Sequence, residues 1–210
     1  MKQIPQENKG GIKIEIIMND FSKKECYDGS QIKPLWALNK YGVSGSTVVI
    51  FRGSMKIPQE EMIDIQDIIR EKDLAEILIS GDDCIHFIIE MFDDQPANLK
   101  VAYHRLHLLA FIIQKIIEEE YKISLEKKGT DLYYKDKKLN VAIATSSNSS
   151  SKIHFGINII STGVPVYVNA VGLYDINEKI NLEKLAERIG KEFIAEIKAI
   201  DSDVMKSRTL

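Results

Sequence analysis

DLYYKDKKLNVAIATSSNSSSKIHFGIN, residues 131–158, is two apolar β-runs around a polar, serine-rich turn, with a lysine pair at the entrance of the first run. Period-2 patterning and β-branched content predict strands over 131–134, 138–145 and 152–160. Strand alternation sends Lys137 toward solvent and Lys138 to the other face. An ammonium group beside a sheet with a buried face is the arrangement that grips a carboxylate or a phosphate. Spacing alone favours a plainer reading, in which Lys135, Lys137 and Lys138 decorate a solvated hairpin end.

On the N-terminal side, GIKIEIIM (11–18) reads as an opening strand. Pro34 starts a short helix holding Trp36, the sole tryptophan, as a core anchor. STVVIFR (46–52) reads as a buried strand that Gly53 ends. Met62, Ile65, Ile68 and Ile69 recur at helical spacing within 58–72, with Glu60, Glu61 and Asp64 where the helix dipole favours them. Residues 74–80 fit a strand or a continuation of that helix. Gly81-Asp82-Asp83 reads as a turn, and CIHFIIEMF (84–92) as a buried strand. Asn98 caps the longest predicted helix, running to about residue 120, and Asn181 caps an amphipathic helix through Leu182, Leu185, Ile189, Phe193 and Ile197. Irregularly interleaved strands and helices predict an α+β fold: a mixed, mostly antiparallel sheet flanked by helices. One domain is expected over 11–200, between a flexible N-terminus (1–10) and a flexible tail (201–210).

Composition limits the function. A 44% hydrophobic, 28% charged chain is an ordinary globular protein, and a net charge of −3 lacks the basic surplus of a nucleic-acid binder. MKQIPQENKGG has no signal-peptide core, and no apolar run approaches a bilayer span, so a cytoplasmic protein without membrane partners is expected. Cys26 and Cys84 lack metal-ligand spacing and are expected to be reduced.

Leu132-Tyr133, Asp136, Lys137-Lys138-Leu139, a strand of small residues, a polar turn and Ile153-His154-Phe155-Gly156-Ile157-Asn158 resemble the central segment of the biotin and lipoate protein ligases. There a strand with the essential lysine precedes a hairpin and a glycine-isoleucine-asparagine strand; the match puts Lys138 in the essential position. The whole chain, including Tyr27-Asp28-Gly29-Ser30, Phe51-Arg52-Gly53, Met62-Ile63-Asp64 and Gly81-Asp82-Asp83, resembles an uncharacterised prokaryotic domain-of-unknown-function family, number 366, near those ligases by fold. The arginine- and glycine-rich loop of biotin ligases and the arginine pair with a glycine triplet of lipoate ligases do not appear; Gly42-Val43-Ser44-Gly45-Ser46 contains no arginine.

The resemblance implies activation of a small carboxylic acid or acyl compound, with ATP and Mg²⁺ as cofactors and an acyl-acceptor protein as partner. Such chemistry brings two anions together, so a fixed cation must lower their repulsion; Lys138 takes that role, and Arg52 is a second source of positive charge. Asp82 and Asp83 are candidate metal ligands, with Gly81 lining the substrate and His86 hydrogen-bonding it or acting as base. A plain acidic turn followed by a core histidine describes them equally. Asp28 enters as a binding residue only through the resemblance, since an Asx-type turn explains it. Two alternatives stand beside the ligase: an ATP-independent acyltransferase with Cys84 as nucleophile and Lys138 beside it, and a non-catalytic small-molecule-binding module. A homodimer through a sheet edge is a further expectation.

Overall fold

The computed structural model describes residues 2–4, 13–63, 79–93 and 95–207. A six-stranded sheet is its centre, built from β1 (Lys2–Ile4), β2 (Ile14–Met18), β3 (Ser46–Ile57), β4 (Ile79–Met91), β8 (Asn140–Ser146) and β9 (Ser151–Asn158) in the order β1-β2-β3-β4-β9-β8. Among these described strands only β2 and β3 pair in parallel. The long crossover between them, which a parallel pair requires, carries a 3-10 turn at Ser30–Ile32 and helix α1 (Trp36–Tyr41). A smaller sheet of β5 (Glu126–Lys128), β6 (Asp131–Tyr134) and β7 (Lys137–Lys138) sits beside the large one.

Two long helices, α2 (Leu99–Tyr121) and α4 (Leu182–Lys206), cover one face; the short α3 (Leu173–Ile176) lies between them in sequence. Asn98 caps α2 by accepting from the backbone of Lys100 and Val101, and Asn181 caps α4 through Lys184. The main core lies between these helices and the sheet, with Val48, Ile50, Phe87, Ile89 and Phe155 meeting Leu109, Ile113, Leu185 and Phe193. Each such side chain removed from water contributes roughly 1.5–3 kcal/mol before chain entropy is set against it. Alternate residues of the same strands, among them Val49, Phe51 and Ile88, form a second, smaller core with Tyr27, Ile32 and Ala37 from the crossover. β9 is buried along its whole length, as a strand packed on both faces must be.

Several expectations change. β3 continues through Gly53 to Ile57, because residues 25–27 cross it there: Glu25 N–H donates to Arg52 O and Tyr27 N–H to Ser54 O. A Cβ on residue 53 would overlap the Glu25 carbonyl. Gly81-Asp82-Asp83 is not a turn but part of β4, where pairing advances two residues on β3 (Gly53 to Met55) and three on β4 (Cys84 to Gly81). The additional residue makes a bulge, which uses the same small and acidic residue types as a turn. Lys138 ends β7 instead of opening β8. Of the helix expected over 58–72, Gln59–Glu61 is a 3-10 turn and residues 64–72 lie outside the described residues. α4 continues past residue 201 to Lys206. Among the described residues no helix is long and apolar enough to cross a membrane.

Candidate functional site

Lys138 is positioned by its backbone on two sides. Its strand pairs with β6, Tyr133 opposite Lys138, while its N–H donates to Asn169 O and its carbonyl accepts from Val171 N–H. Lys138 lines a cavity of about 140 Å³ on the sheet face away from α2 and α4. Met55, Ile79 and Val141 form much of its floor, and Val164, Pro165 and Val168 close it from the loop after β9. Its polar groups are Lys138, Ser80, Asn140 and Asn158. A second cavity of about 50 Å³ shares Ile79 and Val141 with the first and ends on Tyr27 and His154. The Lys138 ammonium is paired with Asp131, Nζ to Oδ2 at 2.8 Å, and both side chains are about a third exposed. Lys137 is exposed, as alternation requires.

The bulge in β4 holds the loop that closes the cavity. It frees the Asp82 N–H to donate to Thr162 O, and Ser80 Oγ donates to Gly163 O at 2.6 Å. Gly163 has φ of +76° and packs against the Asp82 carboxylate, so glycine is needed there for conformation and for space. The cavity is thus pinned at one end by β4 and at the other by Lys138. Asn140 ties the small sheet to the large one, accepting from Leu132 N–H and donating to Thr130 O.

The remaining candidates do not gather around this cavity. Arg52 projects from the opposite face, in register with Ile85, and holds Asp83 through two bonds, Nε to Oδ1 at 2.9 Å and Nη2 to Oδ2 at 2.6 Å. Lys24 Nζ adds a third at 2.8 Å. Burial pushes the Asp83 carboxyl up, but Arg52 and Lys24 outweigh it and hold the group below the usual range. Asp83 is therefore the anion of a structural ion cluster, while exposed Asp82 turns toward the 161–164 loop. The two do not form a metal-binding pair, and among the described residues no three His, Cys, Asp or Glu side chains are grouped to hold an ion.

Cys84 is fully buried, its Sγ 3.6 Å from Asn158 Oδ1, and burial with the negative charges of Asp83 and Asp82 pushes its thiol up to about 12. A thiol so placed stays protonated and out of reach, which removes the cysteine-nucleophile alternative. His86 is also fully buried and does not line the cavity: burial lowers it to about 4, so the ring is neutral. Its Nε2 lies 3.3 Å from Gly53 O and its Nδ1 3.1 Å from His154 Nε2. Since a carbonyl only accepts, His86 carries its proton on Nε2 and His154 donates to His86 Nδ1. Tyr27 stacks on His154 with centroids 3.6 Å apart. Gly156 lacks the Cβ that would crowd His154 Nε2 to 3.2 Å, and Gly81 lacks the one that would meet Cys84 Sγ at 3.2 Å. Asp28 accepts from Ser30 in an Asx-type turn; burial opposes ionisation, but the Ser30 bonds hold its carboxyl below the usual range. It does not line the cavity.

Sequence reasoning missed the 164–170 wall and Asn158 in the lining, and the pairing of Lys138 with Asp131. The signal was present in Thr162-Gly163-Val164-Pro165-Val166-Tyr167-Val168, where glycine and proline mark a loop and alternate valines supply an apolar face.

A family model described as Domain of unknown function (DUF366) matches residues 16–208. Uncharacterized protein MJ0805 of Methanocaldococcus jannaschii is 40% identical over 184 residues, 88% of this chain and 80% of that one. A solved structure described as a protein of unknown function from Pyrococcus horikoshi superposes with a TM-score of 0.85 at 33% identity, covering 94% of this chain and 100% of the other. Biotin protein ligase from Aquifex aeolicus, in complex with biotin and ATP, superposes with a TM-score of 0.58 at 18% identity, covering 89% of this chain and 72% of the ligase. That last likeness shows a shared fold, the biotin/lipoate protein ligase-like sheet flanked by helices.

Proposed function

The chain belongs to the DUF366 family, and from that premise we propose that it binds a small carboxylic acid in the cavity beside Lys138 as the first step of ligase-type acyl activation. The observation that carries the proposal is that Lys138 is, among the described residues, the one charged residue lining a hollow whose other walls are mostly hydrocarbon. Lys138 takes the carboxylate, the valine and proline wall takes the hydrocarbon, and excluding water strengthens the charge contact. An engineered cavity of about 150 Å³ in another protein is large enough for benzene, so about 140 Å³ suits a compact tail of similar size. The Aquifex ligase, of the same fold, is in complex with biotin and ATP, which supports an acid-activating reading. On that reading an acyl-acceptor protein is the second substrate, and the exposed Val166 and Tyr167 beside the cavity offer it a contact.

The described residues around the cavity do not fit a triphosphate or Mg²⁺. Among them Lys138 is the sole cation in the lining and already faces Asp131, while Arg52 and Lys24 are held by Asp83 on the other face. This shortage of positive charge favours a second reading, a binding module without turnover.

Thermal melting over a panel of small acids, followed by exchange of labelled pyrophosphate into ATP, tests both. Stabilisation with exchange is the ligase result; stabilisation without exchange is the binding-module result. Lys138→Ala should abolish the stabilisation and leave the unliganded Tm within a few degrees, because a pair as exposed as Lys138–Asp131 contributes about 0–1 kcal/mol to folding. Absence of any stabilisation across the panel overturns the proposal.

A further inference from the structure

The two cavities adjoin at two residues. On β8, Asn140 lines the larger cavity, Ala142 and Ile143 line the smaller, and Val141 between them lines both. The same boundary crosses β3 and β4: Met55 and Ser80 belong to the larger cavity, Ile57 to the smaller, and Ile79, paired with Ile57, to both. Val141 and Ile79 are partly buried hydrophobics packed against the second core. Val141 occupies the space that Gly156, its partner in register, leaves open, since a Cβ on residue 156 would lie 3.3 Å from Val141 Cγ1.

Resting on the reading of the larger cavity as an acid-binding site, we infer that Val141 and Ile79 form a partition that sets the length of the ligand, a short acid whose hydrocarbon tail fills the larger cavity and stops at these two residues. A cavity of about 150 Å³ in another protein holds benzene, so about 140 Å³ takes a tail of about six carbons. A further 50 Å³ or so lies past the partition. Among the described residues lining that smaller cavity there is no lysine or arginine, and its one carboxylate, on Glu61, is held by Lys33 at 2.7 Å. A carboxylate head group is therefore received at Lys138, and it is the tail that meets the partition. To pass it, a longer straight chain has to displace Val141 and Ile79, which are carried on paired strands and packed on the core, so overpacking opposes the move. Discrimination by a methylene that finds no room is the kind an apolar pocket delivers.

Titration calorimetry on the whole protein with straight-chain carboxylic acids of four to ten carbons tests this. Wild-type affinity should rise roughly fourfold for each methylene that finds room and stop rising at a tail of about six carbons. Val141→Ala removes two methyl groups from the partition and joins the cavities. The break should move to a longer tail, and acids two methylenes beyond the wild-type break should gain about tenfold or more. Ile79→Ala, on another strand, should move the break the same way, and it tests the same partition if Val141→Ala does not fold. A break unmoved in the alanine variants, or a wild-type affinity that climbs without a break to ten carbons, overturns the inference while the acid-binding site stands. Failure of every acid to bind the wild type overturns the site and the inference with it.

Discussion

Mild acid should destabilise this protein through two imidazoles that never reach solvent. His86 is lowered from 6.5 to about 4, chiefly by burial, and His154 is moved in the same direction by burial and by His86. In the unfolded chain both rings charge near pH 6.5. Between that value and about 4 the unfolded state binds protons that the folded state refuses, so stability rises with pH across this window. The contribution is complete above 6.5, is lost as pH falls, and changes no further once His86 itself is charged. For His86 alone the loss is about 3 kcal/mol at about 1.4 kcal/mol per pH decade, and His154 adds to it. A domain stable by roughly 5–15 kcal/mol will register that clearly.

Urea unfolding followed by the fluorescence of Trp36, with midpoints taken from pH 7 down to about 4.5, measures this slope. Asp28 and Asp83 do not confuse the window. Their carboxyls lie below 3.8, so the stability they confer is present above that value and is lost only as pH falls further. His107, exposed on α2, is lowered by partial burial and by Lys127, and adds a smaller slope of the same sign. A His86→Phe, His154→Phe double variant, compared with itself across pH, should lose most of the slope over the same range. A wild-type midpoint equal at pH 7 and 5, or a double variant that keeps the slope, would refute the account of a neutral, hydrogen-bonded pair.

Gly53→Ala should cost about 3 kcal/mol, since its Cβ meets the Glu25 backbone and neither chain can yield without losing the bonds at Arg52 and Ser54; the urea midpoint reports it. Asp83→Ala leaves Arg52 and Lys24 without their shared anion and should cost on the order of 3 kcal/mol, yet leave ligand binding at the cavity unchanged because the cluster lies on the other face. Brief alkylation at neutral pH should add one group, at exposed Cys26, by intact-mass spectrometry, and a second only after denaturation; fast labelling of Cys84 would contradict its burial.

The parts of this molecule that were legible in the sequence are those set by neighbours in the chain. Asn98 and Asn181 announce their helices because a cap is made within three residues, and β9 reads as a strand because Ile153, Phe155 and Ile157 alternate along it. The family resemblance supplied the sheet architecture, which periodicity alone left as a mixed α+β arrangement. The site was less legible. Gly81-Asp82-Asp83 has turn composition, yet only its pairing with β3 makes it a bulge, and only the bulge explains how the 161–164 loop is held.

Alternation correctly separated Lys137 from Lys138 but attached them to the wrong strand. The register changes at Leu139, whose N–H joins Leu132 in the small sheet while its carbonyl accepts from Asn158 in the large one. That single residue lets Lys138 leave β8 and bond to Asn169 and Val171 beside the loop wall, with its ammonium on Asp131. Arg52 and Asp83, 31 residues apart, meet only through the β3–β4 register. Charge placement in this fold is therefore a property of strand pairing, and a substitution that shifts register near Leu139 should disturb the cavity more than one that merely changes a lining side chain.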